Sequence, residues 1–220
     1  MQNDLLLQAK ALSHHFDYPL FSDVNINISA GSTSAILGVS GSGKSTILHI
    51  LSTLLKPDFG EVIYKDKSLY SLSANDLLKI RRYDFGIIFQ AHYLFRGFKA
   101  SENIELASIL SGKDIDKNML SRLGIADVLA QNAGSLSGGQ QQRISIARVL
   151  AKQPKIIFAD EPTGNLDAAT AREVMQALFT YIKENNAALV LVTHDEALAS
   201  KCDFCYKLQD KKLELITSLI

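Results

Sequence analysis

Eight residues, Gly38-Val39-Ser40-Gly41-Ser42-Gly43-Lys44-Ser45, have the makings of a phosphate cradle. The glycines let backbone N–H groups converge on phosphate oxygens without side-chain clash. The short apolar run Ser34-Ala35-Ile36-Leu37 leads into this loop, and Ile47, Leu48, Leu51, Leu54 and Leu55 follow it with the 3.6-residue period of a helix over 44–55. A strand–loop–helix of this kind aims the positive helix end at an anion. Lys44 would then pair with β- and γ-phosphate oxygens, Ser45 would ligate Mg2+, and Thr46 would contact the α-phosphate. Further on, Ile156-Ile157-Phe158-Ala159 runs into Asp160-Glu161. That pattern is a buried strand delivering two carboxylates to its C-terminal edge, where open α/β sheets bind ligands. Adjacent strand residues point to opposite faces, so the two acids can divide the work: Asp160 holds Mg2+ through water and Glu161 polarises an attacking water. A second anion site is written in Ser137-Gly138-Gly139, which opens a helix over 140–152 with Ile144, Ala147, Leu150 and Ala151 on one face.

The elements around these residues alternate strand and helix. Val24–Ile28 alternates apolar and polar residues as a half-buried antiparallel strand does, and Ala30-Gly31 turns the chain. Pro57 and Gly60 are the expected stop of the helix that begins at Lys44; a strand over Glu61–Tyr64 follows. Ser73-Ala74-Asn75-Asp76 reads as a capping box opening a helix to Arg82. Phe85–Phe89 forms a strand ending at Gln90. Residues 91–137 read as an inserted helical subdomain, with helices over 101–110, 116–123 and 126–131 and with Gly112 and Gly124 as stops. Strand 156–159, helix 168–184, strand 188–193, a short helix near 195–200 and a closing hairpin (204–208 and 213–216) complete the pattern. The alternation implies a parallel sheet covered by helices in one 220-residue domain.

Composition narrows the classes. A net charge of zero and a pI of about 7.0 give no footprint of nucleic-acid binding. No apolar run approaches the roughly 20 residues of a membrane helix, and Leu5-Leu6-Leu7 is too short for a signal sequence. Cys202-Asp203-Phe204-Cys205 has CxxC spacing without a second pair, so it lacks the ligands of a structural zinc site. On a strand, the two thiols would point to opposite faces and remain reduced.

Taken in order, these segments resemble the ATPase of ABC systems, and the resemblance covers almost the whole chain. It implies the fold class of a P-loop NTPase, with a parallel core sheet, an antiparallel β subdomain and the helical insert. It further implies that Leu136-Ser137-Gly138-Gly139-Gln140 closes over ATP held by the phosphate loop of a second copy, so that a homodimer encloses two Mg-ATP. Gln90 resembles the glutamine that reaches Mg2+ or the water, and His194 the histidine that contacts the γ-phosphate. Gly164-Asn165-Leu166-Asp167 resembles the loop that crosses the dimer interface; Asp167 also stands where it can cap helix 168–184. Phe16 occupies the place of an aromatic that stacks on adenine, with Tyr18 as its rival. Phe89-Gln90-Ala91-His92-Tyr93-Leu94, Ser101-Glu102-Asn103 and Asp160–Asp167 look like the lipoprotein-release, macrolide-export and cell-division branch. That branch implies a separately encoded transmembrane permease subunit and a place on the cytoplasmic face of the inner membrane. Tyr93, Leu94, Phe95 and Phe98 are the expected groove for a helix of that partner. A soluble non-transport ABC ATPase would need a coiled-coil insertion or a tandem domain, and a small-molecule kinase would lack the Ser137–Gln140 segment.

Overall fold

The computed structural model describes residues 5–216. Two sheets form the frame. The antiparallel sheet holds β1 (Leu5–His15), β2 (Pro19–Ser29), β4 (Phe59–Tyr64) and β5 (Lys67–Ser68) in the order β2-β1-β4-β5. The larger sheet holds β3 (Thr33–Leu37), β6 (Phe85–Ile88), β7 (Ile156–Asp160), β8 (Ala188–Thr193), β9 (Phe204–Gln209) and β10 (Lys212–Ile216) in the order β10-β9-β3-β8-β7-β6. All of its pairings are parallel except the terminal β9–β10 hairpin. The helices are α1 (Lys44–Leu51), α2 (Ala74–Tyr83), α3 (Ala100–Ser111), α4 (Lys117–Arg122), α5 (Gly138–Leu150), α6 (Ala168–Asn185) and α7 (Glu196–Ala199).

Strands β3, β7 and β8 are buried along their whole length, which explains why they read as unbroken apolar runs. Their side chains still alternate between two cores. Phe158, Val190 and Val192 join α1 and the antiparallel sheet, whereas Ile157, Ala159, Leu189 and Leu191 join α3, α5 and α6. The central strands thus tie the two halves of the molecule together, and their C-terminal ends meet at one edge.

Four local readings change in the structure. The strand β1 is unannounced by the sequence, because a left-handed Ala11 (φ 49) and register shifts break its alternation. Helix α1 stops at Leu51, ahead of Pro57. Thr53 turns left-handed (φ 66), Leu54 N–H closes back on His49 O at 2.8 Å, and the Tyr70 hydroxyl lies against the Ile50 and Leu55 carbonyls. Residues 126–131 make only a 3-10 turn at Ala126–Val128, because the following carbonyls turn away: Ala100 N–H bonds Gln131 O and Ser101 N–H bonds Leu129 O. Cys202 precedes β9, so strand alternation does not separate the thiols. Both are free and both pack into the small cluster with Ala35, Leu37 and Ala199.

Candidate functional site

The phosphate loop crosses from β3 to α1. Gly43 takes the helix N-cap position with φ 104 and offers no side-chain acceptor, so the first N–H groups of α1 are left for another partner. A side chain at Gly38 would meet Leu208 O and Ser42 Oγ, each at 2.9 Å, whereas one at Gly41 would meet open space. The loop is therefore packed on one side and open on the other. The Ser42 hydroxyl is buried without a hydrogen-bond partner. Lys44 is 7% exposed and donates from Nζ to Val39 O at 2.8 Å, bending back over its own loop. Outside lies a cavity of about 440 Å3 lined by Tyr18, Leu20, Val39, Gly41 and Lys207 among others. Tyr18 thus faces this space. Phe16 is exposed and sets its ring edge-on to His14 at 4.9 Å. His15 Nδ1 bonds Asp58 Oδ2 at 2.9 Å and the His15 N–H bonds it at 2.8 Å, while buried His14 Nδ1 lies 3.0 Å from the same oxygen without making a hydrogen bond.

The Ser45 hydroxyl donates to Asp160 Oδ1 at 3.0 Å, joining the start of α1 to the end of β7. Burial lifts the Asp160 carboxyl above the usual range; the Ser45 hydroxyl, His49 and Lys44 offset part of this and Glu161 adds to it. A buried carboxylate beside a hydroxyl gives oxygen donors suited to a hard cation. Glu161 departs from the expectation of simple strand alternation. It lies just past β7 with a left-handed backbone (φ 45), anchored by its N–H on Val192 O at 2.9 Å. The kink turns its carboxylate toward β8, where His194 Nδ1 lies 2.8 Å from Oε1 and the Thr193 hydroxyl 3.4 Å from Oε2. The two acids do face different partners, through a kink as well as through pleating.

Gln90 follows β6 at the same sheet edge with an exposed side chain, and Asn165 Nδ2 approaches its carbonyl at 3.5 Å. Asp167 caps α6: its Oδ1 accepts from Ala169 N and Thr170 N, each at 3.0 Å, and these bonds and the Thr170 hydroxyl hold its carboxyl below the usual range. Ser137 and Gln140 form a capping box on α5, with Ser137 N donating to Gln140 Oε1 at 2.9 Å and Gln140 N to Ser137 Oγ at 3.3 Å. Ser137 and Gly138 are exposed, and among the described residues none of their hydrogen bonds reaches the phosphate loop. Thus Lys44, Ser45, Asp160, Glu161 and His194 come together, while Ser137–Gln140 stands apart.

Two residues outside the sequence reading bind these parts to each other. Gln142, buried on α5, donates from Nε2 to Pro162 O at 2.8 Å and ties the Ser137 helix to the segment after Glu161. Arg148, on the same helix, donates to Tyr93 O at 2.8 Å and His92 O at 3.2 Å, holding the segment that follows Gln90. The detectable signal was a polar residue on the buried face of an amphipathic helix. Of the four expected groove residues, Leu94 is a correction: it is partly buried and packs against the core, while Tyr93, Phe95 and Phe98 are exposed.

The profile described as "ABC transporter" matches residues 21–164. A curated relative from Rickettsia bellii (strain RML369-C), named lipoprotein-releasing system ATP-binding protein LolD, is 40% identical over 221 residues, covering 96% of this chain and 98% of its own. A protein of the same name from Shewanella frigidimarina (strain NCIMB 400) is 38% identical and covers 97% of this chain and 94% of its own. Among solved structures, the dimeric bacterial ABC transporter cassette MJ0796 superposes with a TM-score of 0.86 at 35% identity, covering 95% of this chain and 97% of that one. A dimeric post-hydrolysis state of MJ0796 bound to ADP and Pi gives 0.85 at 33% identity, covering 97% and 100%. With its phosphate loop, paired carboxylates and separate Ser-Gly-Gly helix on this frame, the chain is an ATP-hydrolysing member of the ABC transporter family.

Proposed function

We propose that two copies of this chain close around two Mg-ATP and that the closure drives a separately encoded transmembrane subunit, in the manner of a lipoprotein-releasing system. The observation that carries the two-copy reading is the position of Ser137–Gln140. This segment presents an exposed, capped helix N-terminus suited to an anion, yet it bonds only to itself while the phosphate loop lies elsewhere in the chain. A second copy supplies the missing half in each direction. The solved dimers of MJ0796 support the arrangement, and the relatives named LolD support the lipoprotein-release branch. In this reading the whole chain is one ATPase domain, with residues 91–137 as its partner-facing helical subdomain. Among the described residues no helix is long and apolar enough to cross a membrane. In this reading the membrane passage belongs to the partner, and the chain sits on the cytoplasmic face of the inner membrane.

Each residue then has a task. Gly38–Gly43 and the start of α1 cradle the phosphates; Lys44 leaves Val39 O for β- and γ-phosphate oxygens, and Thr46 meets the α-phosphate. Ser45, Asp160 (through water) and Gln90 would hold Mg2+. The metal would supply charge neutralisation on the phosphates. Glu161 accepts a proton from the attacking water. His194 steadies that carboxylate through Nδ1 and has its other ring nitrogen free for a γ-phosphate oxygen. Ser137, Gly138, Gly139 and Gln140 cover the ATP of the opposite copy, and Asp167 sets the loop between the copies. Phe16 or Tyr18 stacks on adenine.

Lipoprotein release tests the branch. Membrane vesicles carrying the chain with the membrane subunit that it captures in detergent should release lipoprotein on addition of Mg-ATP. Release that is the same with and without ATP would defeat the assignment.

A further inference from the structure

The two histidines that end β1 approach one carboxylate, and they are not alike. His15 is exposed and already bonded, through its N–H and its Nδ1, to Asp58 Oδ2. His14 is 7% exposed, and both of its ring nitrogens are buried without a hydrogen-bond partner. Its Nδ1 stands 3.0 Å from the same Asp58 oxygen. A buried imidazole with two idle nitrogens is costly, and a carboxylate beside it favours the protonated form. Asp58 suits that part. The His15 N–H holds its carboxyl below the usual range against the effect of burial, and the two imidazoles add to this.

Apart from His15, the His14 ring has two aromatic neighbours with different freedom. Phe21, its partner across β2, is 1% exposed with ring centroids 6.4 Å apart. It also backs the phosphate loop: a Cβ at Gly43 would stand 3.2 Å from Phe21 Cδ1. Phe16 is 57% exposed and lies perpendicular to His14 at 4.9 Å, a favourable edge-to-face contact. Phe21 is fixed in the core, so a change at His14 is felt at Phe16. Tyr18 borders the phosphate loop itself, beside Val39 and Gly41, whereas Phe16 is outside that lining. A ribose separates a base from its phosphates, so the ring that meets the base belongs outside the phosphate lining.

We propose that His14 is a positioning residue for the base of the nucleotide: with a proton it pairs with Asp58 and sets the Phe16 ring for stacking, and without one it leaves that ring loose. The inference rests on the reading that an aromatic residue of this segment stacks on adenine; it adds which ring does so and what holds it. Among the described residues the titratable groups that meet the His14 ring are Asp58 and His15. The proton turns the 3.0 Å approach to Asp58 into an ion pair, and the imidazolium also attracts the Phe16 π system. A proton that favours base binding is, by linkage, favoured by it. Affinity for the base therefore rises as the pH falls through the range in which histidine titrates.

Calorimetric titration of the full chain with Mg-ADP and with Mg-pyrophosphate tests this, because the second ligand keeps the phosphates and lacks the base. The ratio of the two affinities also removes most of the phosphates' own titration. From about pH 8 to about pH 6 the ratio should rise at least about threefold in the wild-type chain. His14→Phe keeps a ring in the core and removes the proton; Asp58→Asn removes the counter-charge. Both should give a flat ratio with pyrophosphate affinity and melting temperature preserved, while His15→Gln keeps the response. Phe16→Ala should lower the ratio at least about fivefold and flatten it. A flat ratio in the wild-type chain, or a response that survives in His14→Phe or vanishes only in His15→Gln, overturns the proposal. If the response survives in His14→Phe while Phe16→Ala still lowers the ratio, the stacking reading stands without His14. If neither Phe16→Ala nor Tyr18→Ala lowers the ratio, the stacking reading itself falls and takes the proposal with it.

Discussion

Glu161 is held on both carboxylate oxygens, by His194 Nδ1 at 2.8 Å and more loosely by the Thr193 hydroxyl at 3.4 Å. A glutamine there keeps the shape but cannot take a proton from water. Glu161→Gln should therefore bind ATP normally and lose turnover by about 100-fold or more, the usual worth of a general base. Size-exclusion with Mg-ATP should show it trapped as a dimer, and near-wild-type turnover would remove Glu161 from that role. Variants of Lys44 and Ser137 would separate the two halves of the proposed composite site. Lys44→Ala removes a charge-assisted phosphate contact and should weaken ATP binding to the single chain. Ser137→Arg should leave that affinity intact and abolish hydrolysis, since among the described residues no hydrogen bond joins Ser137 to its own phosphate loop. The N-cap is lost in this variant, at about 1 kcal/mol, so a melting curve accompanies the assay. Equal loss of affinity in both variants would contradict a site shared between copies. The cysteines make a simpler residue-level case. Burial pushes the Cys202 thiol up to about 12 and raises Cys205 as well. With thiolate so scarce, both should resist a thiol reagent at pH 8 in the native protein and both react once it is unfolded in denaturant.

Among the elements, β6 and α5 meet so closely that only glycine fits between them. A methyl group at Gly86 would lie 2.6 Å from Val149 Cγ1 and 2.9 Å from Pro154 Cγ. Gly86→Ala should cost about 1–3 kcal/mol by overpacking, read from the urea midpoint. It should also lower ATPase activity, because β6 leads into Gln90 and α5 begins just after Ser137. A neutral midpoint would mean that α5 yields freely. At the other edge of the sheet, Asp203 Oδ2 accepts from Thr33 N at 2.8 Å and Thr33 Oγ1 at 2.7 Å, pinning the starts of β3 and β9 together. Thr33 is buried, so Asp203→Ala should cost about 1–3 kcal/mol through its unsatisfied donors, with the nucleotide site left working. The strand and helix types were readable because periodicity reports burial, and burial is what these elements share. The stop of α1 was not readable: it depends on the Tyr70 hydroxyl meeting the Ile50 and Leu55 carbonyls from 15 or more residues away.

For the whole molecule, the proposed division of the site between two copies would make activity depend on concentration. Turnover per chain should rise with protein concentration at fixed Mg-ATP, because the competent species is the pair. The isolated chain should be largely monomeric without nucleotide and slow in its presence. The captured membrane subunit should stimulate it by holding two copies at high local concentration. Constant turnover per chain across a wide dilution series would show that one copy suffices.

Chemistry of the backbone type was legible in the amino-acid order. A glycine-rich loop between an apolar strand and a helix has few uses besides phosphate binding, and two acids after a buried strand fall at a sheet edge wherever such a sheet forms. Those relations are local, and local sequence determines them. What tertiary structure decided depends on chain segments far apart: Ser45 meeting Asp160, His194 meeting Glu161, Gln142 and Arg148 binding the Ser137 helix to the two segments beside the nucleotide, and buried His14 coming up to Asp58. No periodicity encodes such meetings. Both faces of the central strands are buried, so two cores must pack at once, and that double constraint brings the distant side chains to one edge.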